Sequence, residues 1–283
     1  MPTMRDLKRR IRSIKSTQQI TRAMKMVAAA KLRKIQDRVT AGRPYARKLA
    51  EVIRQLAASA DPQEQPLTAV REVRKVGYVL ITADRGLAGG YNANLIRLAQ
   101  ECLEREERPA ALIAIGRKGR DYFLRRGVEI LREYLQIGDA PDMALARRIS
   151  QDLMGLFLEG SLDEIYLIYS RFYSALRQVP QVDKLLPVAP PEGDRREERE
   201  FIYEPAEKEV LGLLLPRYCE VQVYRALLEA KASEHGARMT AMDNATENAA
   251  EMIDRLTLSF NRVRQAAITR EIVEVVAGAE ALQ

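Results

Sequence analysis

The stretch EKEVLGLLLPRYCEVQVYRALLEAKASEHGARMTAMDNATENAAEMIDRLTLSFNRVRQAAITREIVEVVA, residues 207 to 277, decides the fold. Stepping by three and then four residues picks out Leu211, Leu214, Tyr218, Val221, Arg225, Leu228, Ala232, His235, Met239, Met242, Thr246, Ala249, Ile253, Leu256, Phe260, Val263 and Ala267. That is a heptad seam sustained far beyond an ordinary globular helix, and it predicts one long coiled-coil helix. At ~1.5 Å per residue such a helix spans on the order of 100 Å. A rod of that length needs a partner. The other end of the chain supplies one, because from Met4 the same spacing gives Leu7, Ile11, Ile14, Gln18, Thr21, Lys25, Ala28, Leu32, Ile35, Val39, Gly42, Ala46, Leu49, Ile53 and Leu56. Two heptad helices at opposite ends of one chain predict an antiparallel coiled coil rising from a compact middle. The simpler alternative is two separate amphipathic helices on a globular core, and the length of the strict spacing argues against it.

Between the helices the period changes. Val76 to Thr82 is a β-branched apolar run, followed by the turn ADRGLAGG from Ala83 to Gly90 and a helix from Asn92 to about Glu107. Ala110 to Ile115 is a second buried run, closed by Gly116 and followed by a helix from Arg117 to Arg126. Val128 to Ile137 is a third strand candidate, Pro141 to Glu159 a helix, and Glu164 to Phe172 a fourth strand, with Val182 to Val188 a possible fifth. This alternation predicts a parallel, Rossmann-like sheet. The expected fold is therefore α/β with long helices, in three segments: a coiled-coil helix over 1–58, a Rossmann-like domain over 70–206 and a coiled-coil helix over 207–283. Gly42 and Pro44 should bend the first helix, which should end in the Asp61 to Pro66 loop. Pro190 to Glu200 is expected to be mobile, Phe201 to Pro205 to lead into the last helix, and Pro216 to kink that helix or delay its start.

Composition narrows the function. The net charge is +7, but residues 1–58 carry sixteen lysines and arginines against only Asp6, Asp37 and Glu51. A stripe so basic seeks an acidic partner: a nucleic acid, an anionic lipid or an acidic protein surface. Of these, nucleic acid would favour aromatic side chains for stacking, and that helix offers only Tyr45. No apolar run is long enough to span a bilayer as a helix. The basic N-terminus resembles a transit peptide, a reading that the unbroken heptads from Met4 exclude. Cys102 and Cys219 are far apart, without a CxxC pair, and read as reduced structural thiols. The single histidine, His235, cannot alone make a metal site or a catalytic triad, and reads as a packed seam residue. The turn GLAGG lacks both the GxGxxG spacing and an acid at the end of the second strand, so no nucleotide or other cofactor is expected, and no metal.

Past Ala267 the seam dissolves. Ile268, Ile272, Val273, Val275 and Val276 make the helix apolar on most sides, and nothing in the chain remains to enclose it. The end therefore calls for another protein. Its sequence carries the pattern ITxExxExxxGA at Ile268, Thr269, Glu271, Glu274, Gly278 and Ala279. The first helix carries ITxAMxMVAAxK at Ile20, Thr21, Ala23, Met24, Met26, Val27, Ala28, Ala29 and Lys31, and the turn carries DRGLxGG at Asp84, Arg85, Gly86, Leu87, Gly89 and Gly90. In these three motifs, and over essentially its whole length, the chain resembles the gamma subunit of F-type ATP synthase. Lys25 departs from that pattern, where many members carry an acid, and so does Ala88, often Cys. The paired-cysteine insertion of plastid members is absent, which points to a bacterial enzyme.

The resemblance implies a non-catalytic central rotor shaft. Its coiled coil would sit inside a hexamer of alpha and beta subunits. Its Rossmann-like domain would stand by the epsilon subunit and the c-subunit ring, peripheral on the cytoplasmic face of the plasma membrane. Proton flow turning the ring would turn the shaft and drive ATP synthesis in the hexamer. The same resemblance, with the charge pattern, nominates Met24, Lys25, Lys31, Arg33, Asp84, Arg85, Gly86, Arg264, Gln265, Thr269 and Glu271 as residues that meet the hexamer. The alternative is a basic coiled-coil protein that binds nucleic acid.

Overall fold

A computed structural model describes residues 3–59, 65–188 and 207–280, with side chains over 3–53, 65–188 and 209–277. The expectations for 190–205 and for most of the 61–66 loop fall outside the described residues. In chain order the elements are α1 (Met4–Ser59), β1 (Val76–Ile81), α2 (Tyr91–Arg105), β2 (Ala110–Ile115), α3 (Arg117–Leu124), β3 (Ile130–Tyr134), α4 (Met143–Leu158), β4 (Glu164–Phe172), β5 (Gln178–Leu186) and α5 (Glu207–Glu280). The chain forms two compact units: residues 1–27 with 239–283, and residues 28–238. These units cut across the long helices, whereas the segments drawn from the sequence follow helix ends.

In the larger unit the sheet order is β3-β2-β1-β4-β5. The first four strands are parallel, and β5 runs antiparallel to β4 along the edge. The expected parallel sheet is thus corrected at its last strand. A hairpin joins β4 to β5, and so short a connection can only reverse the chain. The central strands β1 and β2 are apolar on both faces because both faces are covered, whereas the edge strand β3 exposes Arg132 and Glu133. Tyr78, Leu80, Leu112 and Ala114 meet Tyr91, Leu95 and Ala99 of α2 and Phe123 of α3. Val79, Ile81, Ile113 and Leu167 meet Ile149, Leu153 and Phe157 of α4, Leu49 and Ile53 of α1, and a long stretch of α5 from Leu211 to Ala230. Burying each of these large side chains is worth roughly 1.5–3 kcal/mol, which is how a five-stranded sheet fixes the register of the helices laid on it.

In α1 the heptad reading holds at almost every position. Leu7, Thr21, Ala28, Leu32, Ile35, Leu49 and Ile53 are buried, and between Leu7 and Ile53 Gly42 is the one seam position that is exposed. The helix runs unbroken through Gly42 and Pro44, on a stretch open to solvent around most of its girth. In α5 the reading needs correcting near its start. Leu215 and Cys219 are buried where Leu214, Tyr218 and Arg225 were expected, and Arg225 is exposed. The helix there lies on a sheet as well as on α1, so the buried face widens and turns away from a two-helix seam. Nor does Pro216 delay the start, since α5 begins at Glu207 and continues through it. The carbonyl of Gly212 loses its helical donor to the proline, and Gly212 is exposed, so water can take the bond.

The smaller unit is a helix pair. Thr246 Oγ1 donates to Thr21 Oγ1 at 2.8 Å, and the Lys25 ammonium pairs with Asp243. Higher numbers in α1 meet lower numbers in α5, so the pair is antiparallel. The seam continues through half-buried Ile253, Leu256, Phe260 and Val263. Thr3 caps α1: its Oγ1 accepts from the Asp6 N–H and donates to the Asp6 carboxylate, which draws that carboxyl below its usual range. With equal rise in both helices, Met4 lies opposite about residue 263. Beyond that point α5 has no neighbour among the described residues, and every residue from 264 to 277 is exposed.

Candidate functional site: a buried charge cluster, a tied turn and a bare helix end

Within the larger unit the α5 segment from Ala226 to Gly236 is buried nearly all round, including Lys231, Ser233, Glu234 and His235. Charged groups this deep must be paired. The Glu234 carboxylate accepts from Lys231 Nζ at 2.9 Å and from Arg238 Nη2 at 2.8 Å. Burial alone would raise its pKa, but the two cations override burial and hold it below the ordinary carboxylate range. Arg238 also lies 3.3 Å from His235 Nδ1. The far side of that ring faces Asp139, with Nε2 3.8 Å from the carboxylate and without a hydrogen bond. Burial pushes the imidazole pKa down, so the ring is held neutral. Burial acts against Asp139 as well, yet its bond to Lys31 of α1 at 2.7 Å keeps the carboxyl below its usual value.

The glycine turn is tied down at four points. The Ala83 N–H donates to Asn92 Oδ1 at 3.0 Å, and the Lys118 N–H to the Ala83 carbonyl at 3.1 Å. The Arg117 N–H donates to Asp84 Oδ1 at 3.1 Å, so Asp84 occupies the N-terminus of α3. Arg238 donates to the Gly86 carbonyl at 3.3 Å. Asn92 and Asp84 thus bond the Ala83 amide and the first amide of α3, while no side chain caps the first turn of α2. Leu87 and Gly89 adopt positive φ at 61° and 54°, a shape for which glycine is suited and leucine is not. Close approach elsewhere requires glycine outright: a Cβ on Gly116 would stand 2.1 Å from the Thr82 carbonyl oxygen.

The nominated residues therefore divide. Lys31, Gly86 and Asp84 are engaged inside the larger unit, while Arg85 is exposed and makes no hydrogen bond or ion pair with the described residues. Lys25 spends its charge on Asp243 and so does not stand free for a facing loop, beside half-buried Met24. Arg33 is exposed in the larger unit. Arg264, Gln265, Ile268, Thr269, Glu271 and Glu274 lie together on the unaccompanied end of α5, exposed and with no hydrogen bond or ion pair among the described residues. Gly278 and Ala279 continue that helix, their side chains outside the described part. Sequence reading missed the Glu234 cluster. The spacing Lys231, Glu234, Arg238 was visible as a charge ladder on one helix face, but a ladder is ordinarily solvated, and neither Asp139 nor the Gly86 carbonyl leaves a mark in sequence.

A sequence profile of the family described as ATP synthase matches residues 3–282. The chain is 68% identical over 283 residues to the ATP synthase gamma chain of Moorella thermoacetica, covering 100% of both. It is 52% identical to that of Desulfitobacterium hafniense, again over 100% of both chains. Among solved structures it resembles a chain of the Tetrahymena thermophila mitochondrial ATP synthase central stalk and c-ring, at 26% identity and a TM-score of 0.60, covering 80% of this chain and 99% of that one. A chain of the Euglena gracilis mitochondrial enzyme shares the fold, at 22% identity and a TM-score of 0.74, covering 99% of this chain and 94% of that one.

Proposed function

The chain belongs to the ATP synthase family as a gamma chain, the non-catalytic rotor shaft of that enzyme, and on this premise we propose how its parts divide the work. The bare end of α5 is the part that enters the ring of alpha and beta subunits. The observation that carries this reading is the run from 264 to 277, which is helical, apolar on several sides and without cover from the described residues. Ile268, Ile272, Val273, Val275 and Val276 form a bearing surface against the encircling subunits, and Arg264, Gln265, Thr269 and Glu271 supply polar bonds to their loops.

Below it, the antiparallel pair carries torque, and Met24, Arg33 and Arg85 offer side chains for contact with the hexamer. Lys25 contributes through Asp243, as a brace between the two helices. The segments 1–58 and 207–283 act as the shaft, and 70–206 acts as the foot that joins the epsilon subunit and the c ring. The bacterial relatives support a place on the cytoplasmic face of the plasma membrane, held through partners, as no described helix is long and apolar enough to cross a membrane. The basic first helix finds its acidic counterpart in these protein partners, and family membership removes the nucleic-acid alternative.

The test is reconstitution. Assembled with the alpha and beta subunits, and with a bead fixed to the foot, the chain should turn in one direction when ATP is added. A complex that hydrolyses ATP while the bead stays still would refute the division of work proposed here.

A further inference from the structure

The hairpin between β4 and β5, residues 171–177 (RFYSALR), is held far more firmly than an idle loop requires. Ser174 Oγ accepts from the Leu176 and Arg177 N–H groups at 3.3 and 3.1 Å, and Gln178 Nε2 donates to the Ser174 and Ala175 carbonyls. The base is pinned to α5, where Glu229 accepts from the Phe172 N–H at 2.8 Å and Ser233 donates to the Ser170 carbonyl at 2.9 Å. Phe172 lies so close to Gly236 that a Cβ there would stand 3.0 Å from the ring. So fixed a loop presents side chains that the other described residues leave in water. Leu176 is 84% exposed and Tyr173 52% exposed. The guanidiniums of Arg171 and Arg177 lie 5.4 and 5.0 Å from the centre of the Tyr173 ring. The tip thus carries two cations and no acid.

From this we infer that the β4–β5 hairpin is a docking knob for an acidic protein surface of another subunit, with Leu176 as its apolar anchor and Arg171 and Arg177 as its charge contacts. Tyrosine and arginine are what interface centres favour, and a tip already rigid loses little entropy on binding. A protein fits better than a nucleic acid, because the aromatic ring is already approached by two guanidiniums and the most exposed side chain is aliphatic. A bilayer fits less well, because one leucine is a weak anchor. The inference rests on the chain working inside a multisubunit ATP synthase.

The test places a photo-cross-linking phenylalanine at Leu176 in the assembled enzyme, with the same group at Leu124, also exposed, as background. We expect one dominant protein adduct mapping to a peptide rich in Asp and Glu. Arg171→Glu with Arg177→Glu should lower its yield about tenfold, while the paired lysine substitutions keep it within about twofold. Raising salt should lower the yield too, because the charges are exposed. Adducts no stronger than at Leu124, adducts to lipid or nucleic acid, or a yield indifferent to charge reversal would each overturn the inference. A chain that fails to assemble at all would instead count against the rotor reading, so the two failures are distinguishable.

Discussion

Two stretches of α5 invert the usual rule of burial in opposite ways. From 226 to 236 the helix buries a lysine, a glutamate, a histidine and a serine. From 264 to 277 it exposes two isoleucines and three valines, all more than 45% accessible. Neither run is explained by its own sequence. The first is enclosed by the sheet, by α1 and by the hairpin, and its charges survive there because each has a counter-charge within reach. The second has outrun its partner helix and keeps an apolar surface that no described residue covers. Burial in a long helix is decided by what lies opposite, residue by residue.

The sharpest way to break this comparison is to remove the anion from the enclosed run. Glu234→Ala takes the bonded counter-charge from buried Lys231 and half-buried Arg238, and we expect a loss of about 3–5 kcal/mol in urea unfolding. A loss under about 1 kcal/mol would mean that water reaches the cluster.

Acid probes the same run. His235 has a depressed pKa in the folded chain, so between its unfolded value of about 6.5 and its lower folded value the unfolded chain binds more protons. Its contribution is intact above that window and is lost as pH falls through it, adding a slope of up to about 1.4 kcal/mol per pH unit. His235→Gln should remove that slope. Glu234 and Asp139, whose pKa values are also lowered, lose their contributions in the same direction but only in the carboxylate range, below the pH at which the histidine window opens. An unchanged slope in the variant would assign the acid sensitivity to the carboxylates alone. The groups facing His235 include Glu234, Arg238, Asp139 and Lys231, and the bonds of Glu234 to Lys231 and Arg238 must be intact in the variant.

A smaller effect is expected where the helices are merely paired. Lys25 and Asp243 are each about two-fifths exposed, so a double-mutant cycle should give a coupling of about 0.2–1 kcal/mol. The smallest effect belongs to the bare end. Ile272→Ser with Val275→Ser should change the stability of the free chain by no more than about 0.5 kcal/mol. In the assembled enzyme the same pair should weaken retention of the shaft, and amides from Ile268 to Ala277 should exchange quickly in the free chain and slowly in the complex. Equal protection in both states would deny that the end is enclosed by partners.

Much of this is legible in the order of residues alone. A period of seven is a property of one helix and its neighbour, so Leu7 to Ile53 and Met242 to Val263 can be read from spacing. The β-α alternation yields four strands, because fully buried strands write their burial as continuous apolar runs. What escapes lies between elements. Residues 226 to 236 look like more of the same heptad helix, since a third and a fourth neighbour add burial without adding a period. The reversal of β5 depends on a short hairpin whose residues follow no strand-like alternation. Lys25 reads as a free cation because Asp243, its partner, is distant in sequence. For the site, the exposed end is visible as a loss of periodicity, whereas the ties of Asp84, Arg238 and Asp139 are made by loops whose meeting no local pattern records.

The early end of α1 also has a mechanical meaning. A helix pair resists bending and twisting more than a single helix, because its material lies farther from the axis. Up to about residue 263 the smaller unit is such a pair, and past it α5 continues alone. Stiffness therefore drops abruptly at one level of the shaft. Under load, the single-stranded end will flex first and the paired section will turn as one body, so the place where α1 begins sets where the rotor is elastic and where it is rigid.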